Sequence, residues 1–176
     1  MVEKLHPASL ARKTVEQYIL SKEKTSPTEY KITDVEVDQA GAFVCIKKKN
    51  GDLRGCIGTI FPTKETVEDE IINNSISAAT GDPRFSPVGQ NELDDLEYTV
   101  DILHKPDPIN NINDLDPKIY GIIVKSDSGK QALLLPDLEG VDTIEKQISI
   151  TKRKAGIPMN EPVHIFRFKV DRYPEK

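Results

Sequence analysis

The stretch "NGDLRGCIGTIFP", residues 50–62, sets an Arg and a Cys among three glycines, directly after the sharpest turn signal in the chain. Asn50-Gly51 supplies the two positive-φ residues of a type I′ turn, and the flanking runs "AFVCIKK" and "DLRGCIGTI" read as the strands of a β-hairpin. A two-residue turn sets Lys47 opposite Arg54, Cys45 opposite Cys56 and Phe43 opposite Gly58, all on one face. Leu53, Gly55 and Ile57 then join Val44 and Ile46 on the buried face, so Arg54 and Cys56 point away from the main core. Gly55 and Gly58 weaken a strand and are tolerated mainly where a bulge forms or another group approaches closely. Counted from this turn, Cys45 and Cys56 form a hydrogen-bonded pair, less suited to a cross-strand bridge, and two free thiols are expected.

Working outward, Ala11, Val15 and Ile19 with Leu10 and Tyr18 give one apolar helical face after Pro7. "YKITDVEV" reads as a strand. Val67, Ile71, Ile72, Ile76 and Ala79 mark a buried helical stripe that Gly81 ends. "EYTVDIL" is a strand, and "YGIIVKSDSGKQALLLP" a second hairpin turning at Asp127-Ser128-Gly129. In the following helix Asp142 and Glu145 have the spacing of an acidic capping box, and Gly156 with Pro158 closes it. "VHIFRFKV" is the final strand. Placing Gly51 on Gly129 superimposes the hairpins, each followed by a helix, which points to a duplicated strand-hairpin-helix unit. The fold class is therefore α+β, with one curled, barrel-like, mainly antiparallel sheet and helices packed outside.

A length of 176 residues leads one to expect a single domain, 1–176. Twenty-four Lys and Arg against 29 Asp and Glu give a net charge of -5, which disfavours nucleic acid and anionic membranes as partners. Nowhere do 18 uncharged apolar residues run together, and the start lacks an apolar core of signal-peptide length, so a cytoplasmic protein is expected. Two cysteines without CxxC or HxxxH spacing leave no recognisable metal-ligand set, and no cofactor is implied.

Cys56 is the candidate nucleophile. Arg54, two residues away, and Lys47 opposite would lower a thiol pKa, although His6, His104 and His164 are all distant in sequence and none is nominated as a base. The blander account makes Cys56 a small half-buried residue, Arg54 a surface charge and Gly55 a bulge. In "TGDPRFSPV", Asp82 and Arg84 sit on a loop braced by Pro83 and Pro87, either a rigid connector or a platform presenting fixed charges. The helix before this loop is expected to bring it back to Arg54. The runs at Lys47–Lys49 and Lys152–Lys154 read as a hairpin tip and a solvated helix face.

"LRGCIG" at residues 53–58, "DPRF" at 82–85, "LLLP" at 133–136 and "KAG" at 154–156, in this order, resemble the AMMECR domain family, whose microbial members are called AmmeMemoRadiSam system protein A. The resemblance spans nearly the whole chain. It implies a duplicated β/α unit around a barrel-like sheet, a large and a small lobe with a cleft between them, and occurrence beside a Memo-like protein and a radical S-adenosylmethionine protein. No reaction is established for the family. Two functions compete. In one, an enzyme or ligand-binding component uses Arg54 and Arg84 to grip a small anionic ligand, Cys56 as nucleophile or thiol ligand and Asp82 to orient an arginine. In the other, the same surface docks the Memo-like or radical S-adenosylmethionine partner, with Gly55 and Gly58 permitting close backbone approach. A nucleic-acid-associated factor is less favoured by the charge.

Overall fold

The computed structural model describes all 176 residues as two compact units, Met1–Leu103 with Asp171–Lys176, and His104–Val170. The fold is mixed α and β with antiparallel four-stranded sheets.

In the first unit, helix α1 (Pro7–Ser21) starts on Pro7, whose missing N–H costs nothing at that position, and ends at Lys22 in the left-handed region. Two short strands, β1 (Glu3–Leu5) and β2 (Tyr30–Ile32), pair in parallel. Only the first three residues of "YKITDVEV" are a strand; Asp34 at φ 63 turns the chain out of extended geometry. The hairpin strands β3 (Ala42–Lys48) and β4 (Leu53–Gly58) follow, then helix α2 (Val67–Thr80) and β5 (Leu96–Leu103). Strand β5 returns antiparallel to the free side of β3. The core is Val44, Ile46, Val100 and Ile102 from the sheet against Ile71 and Ile72 of α2 and Leu10 and Val15 of α1. Thr66 caps α2 by accepting from the Asp69 amide.

The second unit repeats this order. Strand β6 (Asp107–Pro108) leads in, then hairpin β7 (Gly121–Ser126) and β8 (Gln131–Leu134), helix α3 (Ile144–Ala155), and β9 (Val163–Phe168) returning antiparallel to β7. Its own core contains Ile122, Val124, Leu134, Val141 and Ile157. Thr143, and not the Asp142–Glu145 pair, caps α3, accepting from the Lys146 amide. "VHIFRFKV" is not one strand: β9 stops at Phe168, and β10 (Val170–Pro174) joins the other sheet.

The strands do not share one sheet. Their orders are β10-β5-β3-β4 and β6-β9-β7-β8, without a closed barrel. Superimposing the hairpins finds the duplication, but each copy carries a third strand that fills the free edge of its own inner strand, so each copy completes its own sheet.

Both hairpins turn on three-residue loops, not on a type I′ pair. Lys48 N–H donates to the Asp52 carbonyl and Gly51 N–H to the Lys48 carbonyl; Ser126, Lys130 and Gly129 repeat this pattern. Gly51 (φ 94) and Gly129 (φ 88) take the left-handed position, whereas Asn50 stays at negative φ. The second hairpin then keeps one register from Lys125↔Gln131 to Ile122↔Leu134. The first does not. Lys47 pairs with Leu53, and Ile46 with Gly55, so Arg54 is the extra residue of a β-bulge.

A Cβ built on Gly55 would stand 2.1 Å from the Ala78 carbonyl oxygen of α2, so β4 lies against helix backbone where no side chain fits. Gly55→Ala is expected to cost about 3 kcal/mol through this overpacking, read as a lowered urea midpoint. Gly129→Ala, with open space around it, should cost only the left-handed penalty of about 1–2 kcal/mol. Equal midpoints for the two variants would remove the close-approach account.

Candidate functional site

The bulge decides where the motif's side chains go. Arg54 is 7 % exposed, and its Nε and Nη2 donate to the two carboxylate oxygens of Glu92 at 2.7 and 2.9 Å. Its Nη1 donates to the Ser86 carbonyl at 2.9 Å. Lys47 is not its cross-strand neighbour, and the guanidinium is no surface charge. Glu92 stands in a 3-10 turn, Gln90–Asp95, and also accepts from the Gly89 amide. The Arg54 guanidinium is the main reason the Glu92 carboxyl falls to about 2. Leu53, expected inside, is 36 % exposed because the bulge changes the alternation.

Asp82, 4 % exposed, fastens the same loop one step further along the strand. It accepts from the Cys56 amide at 3.0 Å, and from the Arg84 amide, Nε and Nη2 at 3.0, 3.0 and 2.7 Å. Hydrogen bonding from Arg84, aided by the two amides, holds its carboxyl well below the usual range against the opposing effect of burial. Arg84 is half outside, its side chain 54 % exposed, with Nη2 also 3.5 Å from the Cys56 carbonyl. The Phe85 ring centre is 5.9 Å from the Arg54 guanidinium and 5.5 Å from that of Arg84. Arg54, Asp82 and Arg84 thus converge on β4. Gly55 meets α2, and Gly58 lies under the Phe43 ring, where a Cβ would come within 2.2 Å of it.

Cys45 and Cys56 are directly opposed, free and half-buried. The position is the reverse of the one expected. Cys56 points its N–H outward to Asp82, and Thr59 N–H bonds the Ala42 carbonyl three residues on, which makes 45/56 a non-hydrogen-bonded pair, the closer kind. The hydrogen bond with Cys45, with burial, pushes the Cys56 thiol far up; the same bond lowers Cys45. That is the wrong direction for a Cys56 nucleophile at neutral pH. His6 packs edge-on against Tyr173, and His164 Nε2 is 2.9 Å from Asp127 Oδ1.

An open concavity of about 630 Å³ adjoins the motif, lined by Lys48, Leu53, Arg54, Phe85, Ser86 and Glu92 among others, and not by Cys56. No group of three or more His, Cys, Asp or Glu side chains is arranged to hold a metal ion, and no helix is long and apolar enough to cross a membrane. Glu92 and Ser86 escape the sequence reading. So does Glu70, a buried carboxylate that accepts from the Thr59 and Thr63 hydroxyls and the Thr63 and Lys64 amides. Burial opposes ionisation there, and these four bonds outweigh it.

The AMMECR1 family model matches residues 8–173. A protein of Thermotoga maritima is 48 % identical over 170 residues, covering 96 % of this chain and 97 % of that one. One of Clostridium acetobutylicum is 44 % identical over 94 % of this chain, which spans only 35 % of that longer protein. The crystal structure of an uncharacterized protein from Pyrococcus horikoshii superimposes with a TM-score of 0.85 at 28 % identity, covering 97 % of this chain and 90 % of that one.

Arg54→Gln leaves Glu92 without its cation. The expected loss is about 2 kcal/mol at neutral pH, less than for a fully enclosed pair because Glu92 keeps some water. Glu92 has a depressed folded pKa, so its contribution is complete above its ordinary value of 4.5 and fades as pH falls toward about 2. Urea midpoints of wild type and variant should therefore differ by a constant amount above pH 5 and draw together as pH falls below 4, leaving only what the Ser86 bond contributes; a gap undiminished at pH 2 contradicts the ion-pair account. For the cysteines, diamide treatment of the folded protein should join Cys45 to Cys56 within one chain, removing both titratable thiols. Reaction of one thiol only, or disulfide-linked dimers, would contradict the pairing.

Proposed function

The chain belongs to the AMMECR1 family, and from that premise we propose that it is a non-catalytic recognition module, which docks an anionic group of a protein partner on the stapled loop of residues 81–92. The observation that carries this reading is the open concavity beside the motif, which Arg54 and Phe85 line and Cys56 does not. A small-molecule site encloses most of its ligand; this surface is broad and open, as a protein segment requires. Next to Phe85, Arg84 keeps a side chain 54 % exposed while Asp82 fixes its Nε and Nη2. Phe85, near both arginines, is a half-buried aromatic, a class of side chain with a large share in interface energetics. The loop is fastened to β4 before any partner arrives, which lowers the ordering cost of binding.

The Memo-like and radical S-adenosylmethionine proteins suggested by the sequence resemblance are the partners to test. The competing reading, covalent chemistry at Cys56, has against it a half-buried thiol that is paired with Cys45 and stands outside the lining of the concavity. Against an immobilised partner, Phe85→Ala and Arg84→Ala should each weaken binding about tenfold or more, as truncated anchors do, with Cys56→Ser within about twofold of wild type. Loss of the system's activity in Cys56→Ser with partner binding unchanged would reject the docking reading. So would wild-type affinity in both loop variants.

A further inference from the structure

We propose that the second unit carries a binding site for a small phosphate-bearing ligand, in a concavity of about 450 Å³ walled by His104, Lys105, Asp107, Tyr120, Arg167 and Lys169. The proposal concerns residues that the docking reading does not use.

Strand geometry gathers the cations. Arg167 stands near the end of the β9 ladder and Lys169 one residue past the strand's end, and both line the concavity. Asp107 pairs with Arg167 across β6, and the His104 amide donates to the Lys169 carbonyl at 2.9 Å, which holds the His104-Lys105 segment against the strand end. Tyr120 precedes β7 on the other flank, its carbonyl accepting from Gln147 Nε2 at 2.8 Å.

Arg167 is the telling residue. Its guanidinium lies 4.4 Å from the Tyr120 ring centre, and its Nη1 donates to the Asp114 carbonyl at 2.6 Å. Ring and carbonyl fix its plane, yet neither neutralises it. Arg12, Arg54 and Arg84 each grip a carboxylate; the half-buried Arg167 grips none. The duplication sharpens the contrast. Arg167 pairs with Ile122 in β7, and the equivalent place in the first unit, opposite Val44, is the fully buried Val100. A position fit for a core valine holds a charge, which is costly unless a counter-ion comes to it. The Lys169 ammonium sits 5.6 Å from the same ring, and neither it nor Lys105 is paired with a carboxylate. Asp107 is the one acid in the wall.

An arginine fork flanked by two ammonium groups is more cationic than a single carboxylate needs and matches a dianionic oxyanion. With Arg167 and Lys169 against the Tyr120 ring, the ring is not available to stack a nucleobase. The volume suits a small metabolite and not a polymer groove.

The test is calorimetric titration of the full chain with inorganic pyrophosphate at fixed ionic strength, with amide shifts followed by NMR and succinate as the carboxylate control. Saturable binding that moves the Tyr120 and Gly121 amides is expected. Lys105→Gln with Lys169→Gln, two exposed changes that leave the fold intact, should weaken it about tenfold or more, and Arg167→Lys, which keeps the charge and loses the fork, should weaken it severalfold. Binding that does not saturate, that survives the double lysine change, or that succinate matches would overturn the proposal. None of these outcomes bears on the loop of residues 81–92, so the two readings fail separately.

Discussion

One extra residue in β4 governs the first unit. With Arg54 bulged out of the ladder, the strand beyond it shifts by one place relative to β3, and every later contact inherits the shift. Leu53 is left outside, Gly55 is brought under Ala78, and the Cys56 amide turns to the sheet edge, where Asp82 receives it. The guanidinium reaches the loop before β5 and binds Glu92 and Ser86 from it. An edge strand normally exposes unpaired amides that invite another chain; here Asp82 and Arg84 occupy part of that edge from the same molecule.

The motif's residue types follow from these contacts. Gly55 and Gly58 are glycines because helix backbone and an aromatic ring occupy the space of a side chain. Arg54 must be an arginine because three of its nitrogens are used in a fixed plane, a demand that lysine does not meet. Both carboxylates of the loop are depressed by arginines and carry full charge at neutral pH. The charge that looked available for gripping a ligand is thus largely spent within the fold. What is left exposed is one edge of Arg84 and part of the Phe85 ring, a small and rigid recognition feature.

Much of this was legible in the sequence. Periodicity located the three helices and both hairpins, and aligning Gly51 with Gly129 revealed the duplication, because turn glycines and apolar alternation are local signals. The convergence of Arg54 with Asp82 and Arg84 could be inferred as well, since a helix after a hairpin returns the chain to it. The bulge could not. Asn50-Gly51 suits a two-residue and a three-residue turn equally well, and only the hydrogen bonds of Lys48 and Asp52 distinguish them. Glu92 and Glu70 were hidden for another reason: a buried carboxylate with distant donors has no periodic pattern, and in sequence it resembles any solvated acid.

The two copies diverge where function is most readily added. Their frames agree in the three-residue turns, the threonine helix caps and the returning third strand, features fixed by backbone geometry. Two of their differences bear on charge. The first copy inserts Arg54 and closes the charge internally with Glu92; the second replaces a core valine position by Arg167 and gives the guanidinium no carboxylate in direct ion-pair contact. A neutralised arginine stiffens a surface, whereas an uncompensated one against an aromatic ring retains field for something outside the chain. If selection acted only on stability, the second arrangement would be the harder to keep, because a half-buried charge without a counter-ion is the kind of feature a fold sheds most cheaply.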